Sequence, residues 1–227
     1  MFSIVMPAFN EEKNIKALLK ELLQFRKTYK EKFELIIIDD GSTDSTGKII
    51  DSFSKKYNFI RSIHFRANRG KGYAIPVGIK KARYNKIILM DGDGQHSVSD
   101  IPKLLGMLKK NDFVIGQRNF RKMPIQRRDS NRLSSLALYL AKNVRIKDVL
   151  SGFRALRKDA FEDADYETTG YEIEIEMIEK AIDKRLRIGR VGIKTIYSRG
   201  SRMPLIKSIQ FIFYLAKKVL HSFLRRW

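Results

Sequence analysis

The stretch Lys86-Ile87-Ile88-Leu89-Met90-Asp91-Gly92-Asp93-Gly94-Gln95-His96 passes from an apolar run directly into two carboxylates and a carboxamide. The apolar part is short and rich in Ile and Leu, which is typical of a buried strand. Asp91, Asp93 and Gln95 offer oxygen ligands, which Mg²⁺ and Mn²⁺ prefer, and Mg²⁺ often bridges carboxylates to substrate phosphates. The stretch therefore predicts a metal–diphosphate site at the end of a strand, although Asp-Gly sequences also form ordinary turns.

A second apolar run, Leu35 to Ile38, also ends in carboxylates, at Asp39 and Asp40. Because it is apolar at consecutive positions, it is typical of a parallel strand covered on both faces. Similar runs alternate with amphipathic segments up to about residue 116, which predicts an α/β fold with a mostly parallel central sheet flanked by helices. Ligands of such sheets bind beyond the carboxyl ends of the strands, where both acidic turns fall.

Two loops ahead of predicted helices carry polar residues with more than one interpretation. Asn10 precedes two glutamates, so it is a candidate N-cap, and capping alone would explain all three residues. The loop of residues 66–72 contains three cations and two glycines, including Gly70, Lys71 and Gly72. A basic loop at a helix start can cradle an anion, although it can also be a solvated loop.

The chain is strongly basic, with 46 Lys and Arg against 25 Asp and Glu, a net charge of +21 over 227 residues. This charge favours a polyanionic partner, which could be nucleic acid, an anionic membrane surface or a phosphorylated substrate. Carboxylates clustered at strand ends argue against nucleic acid, because they would repel its phosphates. The chain has no Cys, so we expect no disulfide framework and no thiolate metal site.

The segment of residues 118–132 concentrates six cations and a single acid. A basic segment beside a metal site suits an anionic second substrate, although a solvated loop is the alternative. Residues 204–227 form a second basic segment, in which apolar residues recur at helical spacing. We expect residues 1–203 to be one catalytic domain and 204–227 an amphipathic helix at a membrane surface. Docking on the protein's own core or at a dimer interface is the alternative for that helix.

Neither a signal peptide nor an apolar run long enough to span a bilayer is evident in the sequence. We therefore expect a cytoplasmic protein that is peripheral on the inner face of the cell membrane. A membrane-anchoring partner is the alternative to the basic helix as the anchor, and a homo-oligomer is also possible.

The motifs in their order resemble family 2 glycosyltransferases of GT-A fold, especially the polyprenyl-phosphate sugar synthases, a group that includes dolichyl-phosphate mannose synthases. The resemblance covers residues 2–203. It rests on Val5-Met6-Pro7-Ala8-Phe9-Asn10-Glu11, Ile37-Ile38-Asp39-Asp40-Gly41-Ser42-Thr43-Asp44, Asn68-Arg69-Gly70-Lys71-Gly72, Asp91-Gly92-Asp93-Gly94-Gln95-His96, Ser151-Gly152-Phe153-Arg154 and Arg199-Gly200-Ser201-Arg202.

The resemblance implies roles for these residues. A nucleotide-sugar donor, linked to GDP or UDP, would contact Pro7, Ala8, Glu11, Asp39 or Asp40, Lys71, Asp91, Arg199 and Arg202. A Mg²⁺ or Mn²⁺ ion would bind Asp91, Asp93 and Gln95. The residues closest to the chemistry would be Asp93, Arg118, Arg128 (or Arg127) and Glu176, with the arginines holding the phosphate of the acceptor.

The implied reaction is the metal-dependent, inverting transfer of one sugar to a polyprenyl phosphate. The Gln-x-x-Arg-Trp motif of processive synthases is absent from the sequence, which favours a single transfer. Two alternatives remain. The acceptor could be a glycan, a protein or a small soluble molecule, or the chain could be a nucleic-acid-binding protein, which would bind with strong salt dependence.

Overall fold

The computed structural model describes residues 1–170, 172–194, 196 and 214. The strands are Phe2–Ala8 (β1), Phe33–Asp39 (β2), Ile60–His64 (β3), Lys86–Leu89 (β4), Phe113–Gln117 (β5), Arg154–Arg157 (β6) and Ile188–Gly192 (β7). The α-helices are Ile15–Thr28 (α1), Thr46–Lys56 (α2), Lys71–Lys81 (α3), Ile101–Leu108 (α4), Ile125–Lys142 (α5), Lys158–Phe161 (α6) and Ile173–Asp183 (α7). The apolar runs of the sequence thus form the strands, and the amphipathic segments form the helices between them.

The strands form one seven-stranded sheet in the order β3-β2-β1-β4-β6-β5-β7. The pairs β1–β2, β1–β4, β2–β3 and β5–β7 are parallel. Strand β6 runs antiparallel between β4 and β5. The predicted α/β fold with a mostly parallel sheet is confirmed, and β6 is its exception.

Both faces of the sheet are covered, because successive side chains of a strand point to opposite faces. Ile4 of β1 belongs to the apolar cluster that contains Leu19 of α1 and Leu104 of α4. Its neighbour Val5 belongs to the other cluster, with Ile75 of α3 and Ile178 of α7. This three-layer packing explains why the strands read as continuous apolar runs.

The carboxyl ends of β1, β2 and β4 meet at one edge of the sheet. The backbone N–H of Asp40 donates to the carbonyl of Ala8 over 2.9 Å, and the N–H of Gly92 donates to the carbonyl of Pro7 over 3.1 Å. Both acidic turns are therefore held directly against the end of β1, as the parallel arrangement predicts.

Candidate active site

An open cleft at this edge collects side chains from several separate loops. Its lining includes seven residues that the sequence assigned to the donor or the metal: Pro7, Ala8, Glu11, Asp40, Lys71, Asp91 and Asp93. Asn68 and Gly170 also line it. Gly170 had no signal in the sequence, because it belongs to a loop that reaches the cleft only through the tertiary fold.

The loops that follow β1 and β2 interlock at the rim of the cleft. The backbone N–H of Thr43 donates to Asn10 Oδ1 over 2.8 Å, and the N–H of Ser45 donates to Glu12 Oε2 over 3.1 Å. Helix α1 begins only at Ile15, so the interpretation of Asn10 as its N-cap is wrong. Asn10 has a left-handed backbone conformation (φ 55°) and its side chain orders the neighbouring loop instead.

The adjacent carboxylates of Asp39 and Asp40 point in different directions, as expected for consecutive residues at the end of a strand. Asp40 lines the cleft and accepts hydrogen bonds from the backbone N–H groups of Arg69 (2.7 Å) and Gly70 (2.9 Å). Asp39 instead lies 2.9 Å from Nδ1 of His64. Of the two candidates for contacting the nucleoside, the structure therefore brings only Asp40 to the cleft.

His64 lies between two carboxylates, because its Nε2 is also 2.9 Å from Asp51 Oδ1. Burial of the imidazole opposes its protonation, but the hydrogen bonds with Asp39 and Asp51 outweigh this and raise the pKa of His64 above its ordinary value. The imidazole ring thus links β3 to β2 and α2.

The loop of residues 167–170 lies against the start of α3. The N–H of Gly72 donates to the carbonyl of Thr169 over 2.9 Å. A Cβ on Gly70 would lie 2.0 Å from that same carbonyl oxygen, and Gly70 has a φ of +85°. Position 70 therefore requires glycine for both space and conformation.

Two glutamates of α7 act on this region in different ways. Glu176, which the resemblance placed close to the chemistry, accepts hydrogen bonds from the N–H of Glu167 (2.8 Å) and from the N–H (3.0 Å) and hydroxyl (2.6 Å) of Thr168. Glu174, two residues earlier, contacts Lys71 with its Oε1 only 2.6 Å from Nζ. Sequence reasoning missed Glu174, since nothing in the helix pattern shows which of the two carboxylates faces the cleft.

Lys71 bridges Glu174 and Asp91, the first carboxylate of the turn over residues 91–95 that is predicted to bind metal, the metal turn. Its Nζ lies 2.7 Å from Asp91 Oδ1. Burial of the ammonium disfavours its charge, but attraction by Asp91 and Glu174 outweighs burial and raises the pKa of Lys71. The same attraction lowers the pKa of Asp91, against the effect of burial. The two groups therefore form a charged pair at the floor of the cleft.

Asp93 is the second carboxylate of the turn, and its Oδ1 accepts a hydrogen bond from the N–H of Gln95 over 2.9 Å. Burial and the nearby negative charge of Asp91 raise the pKa of Asp93 to about 6. Glu11 adds a further negative charge to this group. Such crowding of carboxylates is relieved by a bound cation.

His96 packs beneath the metal turn. Its ring stacks on Phe153 with a centroid distance of 4.8 Å, and its Nδ1 accepts a hydrogen bond from the N–H of Asp91 over 3.2 Å. Burial lowers the pKa of His96 to about 4, so the ring is neutral near pH 7. His96 thus holds the backbone of Asp91 directly, and Phe153 of the Ser151-Gly152-Phe153-Arg154 motif packs against the imidazole ring.

Gln95, the predicted third metal ligand, contacts the start of α5. Its side chain is buried, and its Oε1 accepts a hydrogen bond from Arg127 over 2.8 Å. This contact joins the start of α5 to the metal turn. Its role as a metal ligand stays a prediction.

The predicted acceptor arginines differ in their surroundings. Arg118 forms a two-pronged ion pair with the fully buried Asp148, at 2.9 and 2.7 Å, and its backbone N–H donates to the same carboxylate over 2.8 Å. Arg128, near the start of α5, has a buried Nε without a hydrogen-bond partner among the described residues. A buried donor of this kind calls for an acceptor.

Several predicted features lie outside the described residues. These are Arg199, Arg202 and the helix predicted over residues 204–227, apart from Tyr214. The hydroxyl of Tyr214 donates to Glu179 of α7 over 3.3 Å. Among the residues that the structure describes, no helix combines the length and the apolar character needed to cross a membrane.

Asp91 and Asp93 fit a divalent cation that a diphosphate helps to hold. Asp91 already attracts a cation, the ammonium of Lys71. Burial and the negative charge of Asp91 raise the pKa of Asp93, and a bound cation would offset both effects. Within the described ranges, no group of three or more His, Asp or Glu forms a complete metal cage. Mg²⁺ is commonly held by one or two carboxylates together with substrate phosphates, which matches this donor set.

A comparison with solved structures confirms the predicted GT-A fold. A solved structure of glucosyl-3-phosphoglycerate synthase from Mycobacterium tuberculosis, in complex with Mn²⁺, UDP-glucose and phosphoglyceric acid, matches with a TM-score of 0.75. The match covers 96% of this chain and 79% of that chain at 20% sequence identity. At this identity the match shows the shared fold.

The family model of glycosyl transferase family 2 matches residues 3–164. The chain therefore belongs to this family and is a glycosyltransferase. It is 30% identical over 222 residues to UDP-N-acetylglucosamine–dolichyl-phosphate N-acetylglucosaminyltransferase of Methanococcus voltae, covering 87% of this chain and 86% of the relative. It is also 30% identical over 212 residues to dolichol-phosphate mannosyltransferase of Saccharomyces cerevisiae, covering 86% and 78%.

Proposed function

We propose that this enzyme transfers one sugar from a nucleotide sugar to a polyprenyl phosphate of dolichyl type, with inversion at the anomeric carbon. Two relatives that span most of the chain are named for sugar transfer to a dolichyl phosphate. The observation that carries the proposal is the cleft in which Asp40, Lys71, Asp91 and Asp93 converge at the carboxyl edge of the sheet. Because the two relatives are named for different sugars, the sugar of the donor stays open.

The donor, a UDP- or GDP-sugar, would place its base and ribose against Pro7, Ala8 and Glu11, with its diphosphate toward Asp91 and Asp93. A Mg²⁺ or Mn²⁺ ion held there would stabilise negative charge on the leaving diphosphate. Lys71 brings a positive charge of the chain itself to the same place. Arg199 and Arg202 are proposed as further diphosphate ligands.

The acceptor phosphate would bind at the start of α5. A phosphate is already anionic near neutral pH, so the reaction needs its positioning more than it needs a general base. The buried Nε of Arg128, without a partner in the described part of the chain, supports Arg128 as a phosphate ligand. The contact between Arg127 and Gln95 supports placing this ligand beside the metal turn. Because Asp148 holds the guanidinium of Arg118, that arginine would act chiefly by shaping the acceptor site.

We place the reaction at the cytoplasmic face of the membrane, where an isoprenoid phosphate presents its head group. The basic segment 204–227 or an anchoring partner would supply the attachment. A single helix of this kind binds anionic lipid through buried apolar area and charge.

The test is sugar transfer from a panel of UDP- and GDP-sugars to a short polyprenyl phosphate, with Mn²⁺, with Mg²⁺ and with a chelator. We expect one donor to give a metal-dependent glycolipid. Glycosylation of a soluble acceptor in place of the lipid would favour the alternative acceptor class. Failure of every nucleotide sugar to bind in the presence of metal would contradict the donor site itself.

Arg128→Ala tests the acceptor site, and Arg132→Ala is its matched control. Arg132 lies one turn further along α5, is exposed, and pairs only loosely with Asp129, at 3.5 Å. We expect Arg128→Ala to raise the KM for polyprenyl phosphate by about tenfold or more, as loss of a charge-assisted hydrogen bond implies. Arg132→Ala should behave like the wild type. Full activity of Arg128→Ala would show that the phosphate binds elsewhere.

A further inference from the structure

The ammonium of Lys71 contacts a carboxylate oxygen of the metal turn. Its ammonium lies 2.7 Å from Asp91 Oδ1 and 2.6 Å from Glu174 Oε1, and all three side chains are largely shielded from solvent. The lysine is thus the counterion of both carboxylates. It keeps Asp91 from being a buried charge without a partner, which would be costly.

A divalent cation bound by Asp91 would lie within a few ångströms of the Lys71 ammonium. Two cations a few ångströms apart repel strongly in a partly buried site, because the effective dielectric constant there is low. Metal binding should therefore require Lys71 to give up its contact with Asp91 Oδ1. The side chain needs another acceptor if it is to stay buried.

Glu174 offers that acceptor. It is 5% exposed, and its second oxygen, Oε2, is buried without a hydrogen-bond partner among the residues described. Lys71 can therefore exchange its contact with Asp91 for a second contact with Glu174. The space around the Lys71 ammonium depends on Gly152. A Cβ on this residue would lie 2.7 Å from both Lys71 Nζ and Asp91 Oδ2.

We propose that Lys71 competes with the divalent metal for Asp91, and that Glu174 is the positioning residue that receives Lys71 when the metal binds. This inference rests on the metal-dependent donor site proposed above. Its consequence is that metal alone binds weakly, whereas a diphosphate, which attracts both cations, favours the exchange. Metal and donor would then enter the site as one complex.

The test is the affinity of the purified full-length protein for Mn²⁺ alone, measured from the electron paramagnetic resonance signal of free Mn²⁺ without nucleotide. We expect Lys71→Met to bind Mn²⁺ more tightly than the wild type, by about tenfold, because the competing charge is gone. Glu174→Gln should bind more weakly, because Lys71 then remains on Asp91. A purely structural role would weaken binding in both variants.

The double variant separates this mechanism from simple long-range attraction. If Glu174 acts through Lys71, Glu174→Gln should change Mn²⁺ affinity little in the Lys71→Met background, whereas a direct electrostatic effect would persist there. Glu174→Asp keeps the charge but shortens the side chain, so it should weaken Mn²⁺ binding in the wild-type background. This variant replaces the double variant as the test if Lys71→Met does not fold.

Equal effects of Glu174→Gln in both backgrounds, or weaker Mn²⁺ binding by folded Lys71→Met, would overturn the inference while leaving the proposed function intact. No Mn²⁺ binding by the wild type, with or without a nucleoside diphosphate, would overturn both.

Discussion

The position of Glu176 leads to a prediction that separates a structural from a catalytic role. The carboxylate accepts three hydrogen bonds from Glu167 and Thr168, and this loop in turn accepts the N–H of Gly72 beside Lys71. Glu176→Gln keeps one carbonyl oxygen, so it can retain at most two of the three bonds. It also turns an amide N–H₂ toward a backbone donor and removes the charge.

The magnitude follows from those contacts. One charge-assisted hydrogen bond contributes roughly 1.5–3 kcal/mol, so Glu176→Gln should lower the free energy of unfolding by about 2 kcal/mol. For a chain of this size that corresponds to a Tm lower by about 4–8 °C. Glu176→Ala should lower the free energy of unfolding by about twice as much, because all three hydrogen bonds disappear.

Urea unfolding followed by circular dichroism measures the stability, and hydrogen exchange of residues 167–170 measures the loop. We expect faster exchange in that loop and a raised donor KM in Glu176→Gln. Glu172→Gln is the matched control, because Glu172 precedes the same helix and the described residues show no hydrogen bond to its side chain. A collapse of kcat with unchanged stability and unchanged loop exchange would refute the anchoring argument and restore Glu176 as a catalytic acid.

Three other substitutions test the surroundings of the cleft. Gly152→Ala should raise the donor KM by about tenfold or more, because its Cβ would displace the Lys71 ammonium. A raised KM in steady-state kinetics, together with an unchanged Tm, would confirm this displacement. Asp148→Asn leaves the guanidinium of Arg118 without its buried carboxylate partner. The free energy of unfolding in urea should fall by about 3 kcal/mol or more, and an unchanged free energy would contradict a structural role for the ion pair. His64→Gln removes an imidazolium whose pKa is raised in the fold. The stability that His64 contributes is complete below its unfolded pKa of about 6.5 and is lost as pH rises through the raised value. The gap in unfolding free energy between wild type and variant should therefore narrow with rising pH, and a constant gap would exclude the linkage.

The sequence predicts the fold and the residues that converge on the cleft well for a physical reason. Parallel strands share one carboxyl edge, so acidic turns such as Asp40 and Asp91 must meet there once the strands are recognised. Glycine positions that allow close approach of backbones are also local signals. The antiparallel insertion of β6 between β4 and β5 has no such signal, because a run of four residues does not encode direction or neighbour.

Contacts between distant segments decide the rest of the site. The assignment of Arg118 to the acceptor did not anticipate that Asp148, 30 residues away, holds its guanidinium. The choice between Glu174 and Glu176 depends on the rotation of α7 about its axis, since side chains two residues apart on a helix point in nearly opposite directions. The apolar pattern tolerates either rotation, so only packing against the loop of residues 167–170 fixes it.

The charge of the protein and the charge of its cleft have opposite signs, and this contrast bears on how both substrates bind. The chain carries +21, yet Glu11, Asp40, Asp91 and Asp93 line the cleft. An anionic donor would be repelled by those carboxylates alone, so cations must reach the cleft with it or already be there. Lys71 is already there. The basic start of α5 contacts the metal turn through the hydrogen bond from Arg127 to Gln95. A change in the turn on donor binding would therefore alter the proposed acceptor site. In the proposed reaction, the donor would therefore bind before the acceptor phosphate is positioned.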